Sequence, residues 1–323
     1  LIKNTKDLAK FLQLDCKTDL PIKDFQIDSR KVTKNSVFFG LNGSNVDGSI
    51  YAEDAIKNGA SLAIISLSKT SLLKDQSHNI ARVPSPEKSL IQAAKIGMQA
   101  YQGCVIGITG SNGKTTTTMM VHHILNQAGL DVAIGGNIGD SFAKQVLNNN
   151  ANYVLELSSF QLDGIKKFRP HIAIITNITP DHLDRYDYKF ENYIASKFRV
   201  AMNQTSDDYL IYDADDDVIV SYINTHEIQS TLVPFSLTKT VVNGAYLEQN
   251  NIIIEFNNRD IIMPTTNLAL EGKHNIKNAM AASTVACISG AKPRARARSI
   301  IVNICSILFI CLSPVCRSPA AWQ

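Results

Sequence analysis

The chain has 323 residues, of which 45% are hydrophobic and 19% are charged, and its formal net charge at pH 7 is +3. This composition is typical of a soluble globular protein that is long enough for two or three domains. Because five basic residues and no acidic ones follow residue 290, the rest of the chain is slightly acidic, which gives no reason to expect a nucleic-acid partner.

Neither the cysteines nor the apolar segments point to an exported or membrane protein. The six cysteines include no CxxC pair, and we interpret them as reduced thiols of a cytoplasmic protein. The first residues alternate charged and apolar groups, unlike the apolar core of a signal peptide. The most apolar run, at 300–312, is shorter than the roughly 20 residues that span a bilayer. We therefore expect a cytoplasmic protein without a membrane partner.

Residues 1–84 are predicted to form a small N-terminal α/β domain. Short runs of β-branched and aromatic residues predict strands, and an apolar periodicity that ends at Gly59 predicts a helix. Ser85 then suits a helix N-cap and Pro86 the first helical position, so a connecting helix is predicted over 85–102. The predicted strands of this domain cover 25–27, 37–39 and 62–65, and its predicted helix covers 52–58.

Strands and helices alternate between residues 103 and 290, which predicts a central, mostly parallel sheet with helices on both faces, a three-layer α/β domain. Ligands of such sheets bind at the carboxyl ends of the strands. The predicted strands cover 105–109, 132–135, 153–157, 172–177 and 209–212, followed by a hairpin of 246–248 with 252–256. The predicted helices cover 114–127, 191–202 and 274–286.

The composition changes abruptly after residue 290. Alternating basic residues are followed by an apolar run and by an end that contains Cys, Ser and Pro. We leave 291–323 unassigned, with a basic membrane-surface segment and a disordered or foreign end as the alternatives.

The stretch 107–116, GITGSNGKTT, is the most informative part of the sequence. An apolar strand enters a glycine-bearing turn and a helix follows, so backbone N–H groups and the positive end of the helix dipole converge where a triphosphate can lie. Lys114 can reach the terminal phosphates and the Thr115 hydroxyl can bind Mg²⁺. Ile108 stands where the general pattern has its first glycine, so a glycine turn with a chance Gly-Lys-Thr is the alternative. The predicted ATP-binding residues are Gly110, Ser111, Asn112, Gly113, Lys114, Thr115 and Thr116.

Polar side chains occur at several other predicted elements. Glu156 ends an apolar strand, where a carboxylate suits Mg²⁺, and His182 follows the next strand in the same way. Lys197 lies on a predicted helix, and Asn137 lies in a glycine-rich turn. Taken singly, each has a structural alternative: a surface acid, a structural histidine, a solvated lysine and turn chemistry.

Together these segments resemble the Mur ligases, the ATP-dependent amide ligases of peptidoglycan precursor synthesis. TGSNGKTTT, GGNIG, YVLELSSFQL, FRPHIAIITNITPDHLDRY, ENYIASK and GKHNIKNAMAA occur in that family's order and spacing. The resemblance covers about residues 103 to 290 and is closest to members that add D-glutamate to UDP-N-acetylmuramoyl-L-alanine. It implies ATP and Mg²⁺ as cofactors, and a UDP-N-acetylmuramoyl precursor and an amino acid as partners of a monomeric enzyme.

The resemblance also implies roles for individual residues. The expected catalytic residues are Lys114, His182 and Lys197, and family members carbamylate the lysine that matches Lys197, which gives Mg²⁺ an anionic oxygen ligand. ATP would phosphorylate a substrate carboxylate to an acyl phosphate, and an amine would then displace phosphate. The expected metal ligands are Thr115, Glu156, His182 and Lys197. Asn275 and Asn278 would border the adenine, and Asn137, Ser158 and Ser159 would bind the precursor.

The N-terminal domain resembles a different branch of the same family. DSRKV, VFFGLNG and AIKNGA are similar to the uridine-nucleotide-binding domain of members that add a diamino acid or a dipeptide. By that resemblance Ser29 and Arg30 lie near the UDP moiety, and an Asp-Ser turn beside a surface arginine is the alternative. The accepted amino acid therefore stays open between D-glutamate, a diamino acid and a dipeptide.

Mur ligases carry a third, Rossmann-like domain after the helix that matches 274–286, and we expect that domain to be absent from this chain. The polypeptide is therefore expected to bind nucleotides but to ligate poorly. A non-catalytic nucleotide- or precursor-binding protein is the alternative from another class. Folylpolyglutamate synthases share the phosphate loop, but the GGNIG and SSFQL segments and the N-terminal domain argue against them.

Overall fold

The computed structural model describes residues 2–16, 18–43, 46–68, 79–99, 101, 103–139, 142–145, 150–257 and 259–290. The chain divides into unit 1, formed by Leu1–Gln102 with Asp140–Asn150, and unit 2, formed by Gly103–Gly139 with Ala151–Gln323. The unassigned tail, 291–323, lies outside the described residues.

Unit 1 contains a parallel sheet whose four strands lie in chain order: β1 (Asp24–Gln26), β2 (Ser36–Phe39), β3 (Leu62–Ser66) and β4 (Ile80–Val83). Strands β2 and β3 are buried along their whole length, as expected for parallel strands that are covered on both faces. Phe25 and Phe39 pack edge to face in the core, with ring centroids 5.3 Å apart. The three strands predicted for this region are confirmed within one residue at each end.

Three helices accompany this sheet: α1 (Thr5–Leu12), α2 (Ala52–Lys57) and α3 (Pro86–Gln99). Ser85 accepts the Lys88 N–H at 3.2 Å, so α3 begins where the sequence predicts a helix. Leu90 and Ala93 of α3 lie in the same hydrophobic core as the strands, so this helix is an integral part of unit 1. The short elements α1 and β4 are not predicted from the sequence.

Unit 2 contains a nine-stranded sheet in the order β13-β12-β11-β10-β9-β8-β5-β7-β6. Its strands are β5 (Cys104–Thr109), β6 (Val132–Gly136), β7 (Asn152–Glu156), β8 (Ile172–Ile175), β9 (Tyr209–Asp213), β10 (Thr231–Ser236), β11 (Gly244–Glu248), β12 (Asn251–Phe256) and β13 (Arg259–Pro264). Every neighbouring pair is parallel except β11–β12 and β12–β13. The mostly parallel sheet and the hairpin are therefore confirmed, and β10 and β13 are additions to the prediction.

The helices that follow in the chain are α4 (Lys114–Gln127), α5 (Phe142–Gln145, in unit 1), α6 (Ser159–Asp163), α7 (Phe190–Phe198), α8 (Asp217–Thr225) and α9 (Lys273–Ile288). The predicted helices 114–127 and 274–286 are confirmed as α4 and α9. The predicted helix 191–202 is shorter, because the chain tightens into a 3₁₀ turn over Arg199–Ala201. Within the described residues, no helix is long and apolar enough to cross a membrane.

Helices cover both faces of the central strand β5. Ile106 and Ile108 share a hydrophobic core with α4 and α9. Gly107, between them, faces Val200 on the opposite side, where a Cβ would lie 3.3 Å from the valine methyl group. Because successive residues of a strand point to opposite faces, the sheet lies between two helical layers. The predicted three-layer α/β fold of this unit is confirmed.

The order of the strands places a crevice at the carboxyl end of β5. The chain leaves β5 toward β6 and β7 on one side and returns with β8 on the other side. The two connections diverge at such a switch point, and the gap between them is where open α/β sheets bind ligands. The segments that carry the predicted site residues follow β5, β6, β7 and β8.

Candidate functional site

The phosphate loop, residues 110–113, joins β5 to α4 and requires glycine at both of its ends. Gly110 has φ +144°, and a Cβ there would collide with the Thr176 hydroxyl. Gly113 has φ +79°, and a Cβ there would lie 2.6 Å from Asn278 Oδ1. Positive φ and close approach together exclude a side chain at either position. The loop thus has the tight geometry that the sequence pattern indicates.

The first turn of α4 supplies donors for an anion. Gly113 is the N-cap and has no side chain to cap the backbone N–H groups that follow it, those of Lys114, Thr115 and Thr116. These N–H groups have no acceptor inside the helix, and the helix dipole is positive at this end. Such a helix terminus favours a phosphate group.

Lys114 reaches back over the loop from the first turn of α4. Its Nζ donates to the carbonyl oxygens of Gly110 and Ser111, at 2.9 Å in each case. Burial lowers the pKa of Lys114, while the carboxylates of Glu156 and Asp181 act in the opposite direction. A half-buried lysine at this position can interact strongly with a terminal phosphate.

The N–H groups of Ser111 and Asn112 are engaged inside the protein. The Ser111 N–H donates to the Asn177 carbonyl oxygen at 2.9 Å, and the Asn112 N–H donates to Asn177 Oδ1 at 2.8 Å. The Ser111 hydroxyl also donates to the Thr179 carbonyl oxygen at 2.8 Å. In this geometry Ser111 and Asn112, two of the predicted ATP-binding residues, fix the shape of the loop. The N–H groups in the first turn of α4 are the donors suited to an anion.

Glu156 places a buried carboxylate beside the phosphate loop. It is 2% exposed at the end of β7, and its Oε2 accepts the Thr115 hydroxyl at 2.8 Å. Its Oε1 accepts the side-chain N–H of Asn137, which follows β6, at 3.1 Å. Hydroxyl and carboxylate oxygens are the ligands that Mg²⁺ prefers in proteins, so Thr115 and Glu156 suit that ion. Among the described residues, no cluster of three or more His, Cys, Asp or Glu side chains is arranged to hold a metal.

Lys197 is a buried lysine that points from α7 toward the same loop. It is 2% exposed, and its Nζ donates to the Gly110 carbonyl oxygen at 2.8 Å, the atom that Lys114 also contacts. Its Nζ also lies 5.1 Å from the centre of the Tyr193 ring. Burial and the positive charge of Lys114 lower the pKa of Lys197 to about 7. The lysine therefore has a large neutral fraction at neutral pH, which an ordinary surface lysine lacks.

His182 lies on the loop that follows β8 and is exposed. Its backbone has φ +50°, its ring centre is 5.3 Å from that of Phe160, and Nε2 is 3.5 Å from Asp181 Oδ2. The Asp181 carboxylate acts on both Lys114 and Lys197, since it opposes the lowering of their pKa values. The segment that carries His182 therefore borders the site.

Ser158 and Ser159, predicted to bind the precursor, have structural partners at the start of α6. Ser158 is the N-cap and forms a capping box with Gln161. Ser159 is buried, and its carbonyl oxygen accepts the Ser196 hydroxyl at 3.2 Å. Contact of either residue with a precursor stays a prediction.

Asn275 and Asn278, predicted to border the adenine, lie on the first turns of α9. Asn278 Oδ1 accepts the Thr117 hydroxyl of α4 at 3.1 Å and lies against Gly113. Asn275 Oδ1 lies 3.5 Å from Asn278 Nδ2. Lys277, on the same helix, forms an ion pair with the buried Asp213 at 2.7 Å, which joins α9 to the end of β9. The two asparagines are thus next to the phosphate loop.

Ser29 and Arg30 belong to unit 1 and follow β1 in a 3₁₀ turn over Ser29–Lys31. Asp28 accepts the Arg30 backbone N–H at 3.0 Å and forms two hydrogen bonds with its guanidinium group. The Arg30 side chain is 88% exposed, and the Asp28 hydrogen bonds leave most of it accessible to a ligand. Its contact with a uridine nucleotide stays a prediction.

Three residues with clear roles in this geometry are not predicted from the sequence. Asn177 holds the phosphate loop, and Tyr193 hydrogen bonds to the Ser111 hydroxyl at 3.2 Å. Asp216 accepts the Ile178 N–H at 2.8 Å. Asn177 lies two residues after the end of the fully buried β8, a position similar to that of Glu156 at the end of β7. Tyr193 and Asp216 give no comparable signal, because Tyr193 lies within α7 and Asp216 is the N-cap of α8.

Fold and site together define an α/β protein with a phosphate-binding loop at the switch point of its sheet. A family model described as the Mur ligase middle domain matches residues 108–286, and one described as the Mur ligase family, catalytic domain, matches residues 21–98. The first match alone covers more than half of the chain. The chain belongs to the Mur ligase family.

Curated relatives carry the name UDP-N-acetylmuramoylalanine–D-glutamate ligase. The protein of Christiangramia forsetii is 54% identical over 214 residues, which are 66% of this chain and 48% of the relative. That of Cytophaga hutchinsonii is 50% identical over 188 residues, 58% of this chain and 42% of the relative. The chain spans about half the length of the curated relatives it matches.

Solved structures share the fold at lower identity. MurF from Acinetobacter baumannii matches with a TM-score of 0.66 and 21% identity over 94% of this chain and 68% of the other. MurF from Thermotoga maritima, in complex with ADP, matches with a TM-score of 0.62 and 18% identity over 84% and 64% of the two chains. These likenesses support the arrangement of strands and helices described above.

Proposed function

We propose that the chain binds ATP and a UDP-N-acetylmuramoyl precursor as part of an ATP-dependent amide ligase that adds D-glutamate to UDP-N-acetylmuramoyl-L-alanine. One observation carries the proposal: Lys114, Glu156 and Lys197 converge on the phosphate loop. The names of the relatives support D-glutamate as the amino acid. Residues 1–84 would bind the precursor and 103–290 would bind ATP, in the cytoplasm and as a monomer.

Mg²⁺ fits the oxygen pair of Thr115 and Glu156, because a hydroxyl and a buried carboxylate already face each other there. When bound, the ion would neutralise negative charge on the phosphates. Lys114 would leave the loop carbonyls and pair with the terminal phosphate. The donors of α4 and Lys114 would hold the triphosphate for attack by the precursor carboxylate.

The reaction follows from the charges of its partners. The precursor carboxylate would displace ADP from the terminal phosphoryl group, which gives an acyl phosphate, and the amine would then displace inorganic phosphate to form the amide. Positioning and electrostatic stabilisation are the main contributions of a protein to phosphoryl transfer. His182, at the border of the site, would contact the carboxyl group or the metal.

Lys197 would act in carbamylated form. A neutral amine can add to CO₂, which forms a nitrogen–carbon bond and releases one proton, and the pKa of about 7 makes the neutral amine available. The product is an anionic oxygen ligand for a second Mg²⁺. Carbamylation would also remove the positive charge of Lys197, one of the two lysines that contact the Gly110 carbonyl oxygen.

The sequence of unit 1 favours a second candidate function, a ligase that adds a diamino acid or a dipeptide, because its DSR turn resembles that of such family members. By the same resemblance, the exposed Arg30 would lie near the UDP moiety of the precursor. Ligases of this type would use the same phosphate loop and metal site, so the accepted amino acid distinguishes the two functions.

Calorimetry with the purified chain tests nucleotide binding. We expect MgATP to bind, and Glu156→Gln to weaken binding about tenfold in the presence of Mg²⁺ with little change in its absence, since one metal ligand is lost. Glu255→Gln, in the antiparallel part of the sheet, is the matched control and should bind as the wild type does. Equal affinity of wild type and Glu156→Gln for MgATP would contradict the metal assignment.

Phosphate release in the presence of the precursor tests turnover and specificity. The amino acid is varied between D-glutamate, a diamino acid and D-alanyl-D-alanine, each with its matched precursor. We expect D-glutamate to give the highest phosphate release of the three. Precursor binding without release with any of the three would favour a non-catalytic binding protein.

A further inference from the structure

The side chain of Asn177 contacts both backbone polar groups of Asn112 in the phosphate loop. The Asn112 N–H donates to Asn177 Oδ1 at 2.8 Å, and Asn177 Nδ2 donates to the Asn112 carbonyl oxygen at 3.0 Å. This reciprocal pair of hydrogen bonds matches the acceptor and the donor of the amide side chain to the N–H and the C=O of a single residue. The two residues are 65 positions apart in the sequence.

Neighbouring atoms reinforce the same contact. The Thr176 hydroxyl donates to the Asn112 carbonyl oxygen at 2.6 Å, and the Ser111 N–H donates to the Asn177 carbonyl oxygen at 2.9 Å. Gly110 has no space for a Cβ, because the Thr176 hydroxyl occupies it. The loop therefore lies directly on the segment that follows β8.

That segment is itself anchored to the sheet edge. The Ile178 N–H donates to Asp216 Oδ2 at 2.8 Å, and Asp216 Oδ1 accepts the first N–H groups of α8. The segment that contains Asn177 thus contacts the start of α8 through Asp216 and also contacts the phosphate loop.

Asn177 is not arranged as a ligand of the anion. Both polar atoms of its side chain are directed at Asn112 and are within hydrogen-bond distance of it. The donors suited to a phosphate belong instead to Lys114 and the first turn of α4. A role for Asn177 in nucleotide binding would therefore be exerted through the loop.

We propose that Asn177 is a positioning residue for nucleotide binding: it fixes the backbone of Asn112 on both sides of its Cα, so that the phosphate loop has its binding shape before the triphosphate arrives. The inference rests on the proposed binding of ATP by this unit. Because the loop contacts phosphates rather than the base, the effect should be the same for ATP and for inorganic tripolyphosphate.

Calorimetry of the purified chain with MgATP and with tripolyphosphate tests the proposal. Asn177→Ala is expected to lose about tenfold in affinity for both ligands, since two hydrogen bonds that preorganise the loop are removed. Hydrogen exchange of the Asn112 N–H should become faster in this variant. Affinity for tripolyphosphate within twofold of the wild type would overturn the proposal, as would unchanged exchange at Asn112.

Asn203→Ala is the matched control. Asn203 Nδ2 also donates two hydrogen bonds to backbone carbonyls, those of Lys166 and Phe168, but it lies away from the phosphate loop. The control should bind both ligands as the wild type does, and an equal loss in both variants would overturn the proposal by showing a general structural effect. If the wild type binds neither ligand, the proposed nucleotide binding fails, and the inference fails with it.

A second variant covers the case in which Asn177→Ala does not fold. Thr176→Val is nearly isosteric and removes one donor to the same Asn112 carbonyl oxygen. It is expected to lose about threefold in affinity for tripolyphosphate. Wild-type affinity in this variant would overturn the proposal.

Discussion

At the scale of single residues, the two lysines of the site differ from ordinary surface lysines because they share one acceptor. Lys114 and Lys197 both donate to the Gly110 carbonyl oxygen, and Lys197 is almost completely buried. The two ammonium groups repel each other in a partly desolvated environment, so the more buried one, that of Lys197, loses its proton more easily. The environment therefore selects Lys197 for chemistry that needs a free amine.

The proposed carbamylation of Lys197 should depend on pH. Its pKa is lowered to about 7, so the neutral amine that reacts with CO₂ increases as the pH rises from 6 to 8. We expect a carbamate carbon signal in NMR spectra of protein equilibrated with ¹³C-bicarbonate, stronger at pH 8 than at pH 6, and its absence in Lys197→Met.

Lys277→Met is the control for this experiment. The pKa of Lys277 is raised by its hydrogen bonds with Asp213, although burial acts against them, so this lysine stays protonated over the same range. The variant should keep the carbamate signal of the wild type. A signal that persists in Lys197→Met would contradict the assignment.

At the scale of elements, two of the helices that meet at the phosphate loop, α4 and α9, each begin after a glycine with positive φ. Gly113 precedes α4 and Gly272 precedes α9, with φ values of +79° and +103°. A Cβ at Gly113 would lie 2.6 Å from Asn278 Oδ1, whereas a Cβ at Gly272 would meet nothing within 4 Å. A substitution at Gly272 would therefore introduce backbone strain alone, whereas a substitution at Gly113 would add a steric clash.

Gly113→Ala should lose both stability and nucleotide binding. The backbone conformation costs about 1–2 kcal/mol of unfolding free energy, and the methyl group additionally displaces Asn278. Gly272→Ala should lose stability by a similar amount but keep its affinity for ATP. Urea denaturation and calorimetry on both variants test this, and equal losses of affinity would show that crowding is not the cause.

The sequence predicts those elements whose pattern is local. Strand β5, the loop and α4 follow from an apolar run, two glycines and a helix start, and α9 follows from apolar periodicity. Strand β10 contains Pro234, which argues against a strand, and α8 contains β-branched residues such as Val218 and Ile219 that favour one. Neighbouring strands and the Asp216 N-cap override these local preferences.

The predicted site residues lie near one another to the extent that they follow consecutive parallel strands. Glu156 ends β7 and the His182 loop follows β8, so both reach the edge where Lys114 lies. The sequence could not indicate that Ser111 and Asn112 use their N–H groups internally, because the acceptors belong to Asn177 and its backbone. Side-chain pairing across 65 residues is a property of the folded chain alone.

At the scale of the whole molecule, each unit has hydrophobic clusters of its own. Phe25, Leu62 and Leu90 belong to a cluster within unit 1, and Ile106, Val121 and Met280 belong to one within unit 2. A unit with its own core can unfold as a separate cooperative transition.

In calorimetric melting, a ligand should therefore raise the melting temperature of only the unit that binds it. MgADP is expected to raise the melting temperature of unit 2 by several degrees and to leave that of unit 1 unchanged, because a ligand stabilises the unit that binds it. Hydrogen exchange identifies which unit each transition belongs to. A shift of both transitions by the same amount would show that the units unfold together.

The contact between Thr117 and Asn278 joins residues 161 positions apart. During synthesis on the ribosome, the glycine turn after β5 emerges long before the helix against which Gly113 packs. Until α9 has been synthesised, the phosphate loop lacks its contact with that helix. Apolar residues of α4 that pack against α9 in the folded protein are then accessible to chaperones. The proposed nucleotide binding by this unit would therefore require that α9 has already been synthesised.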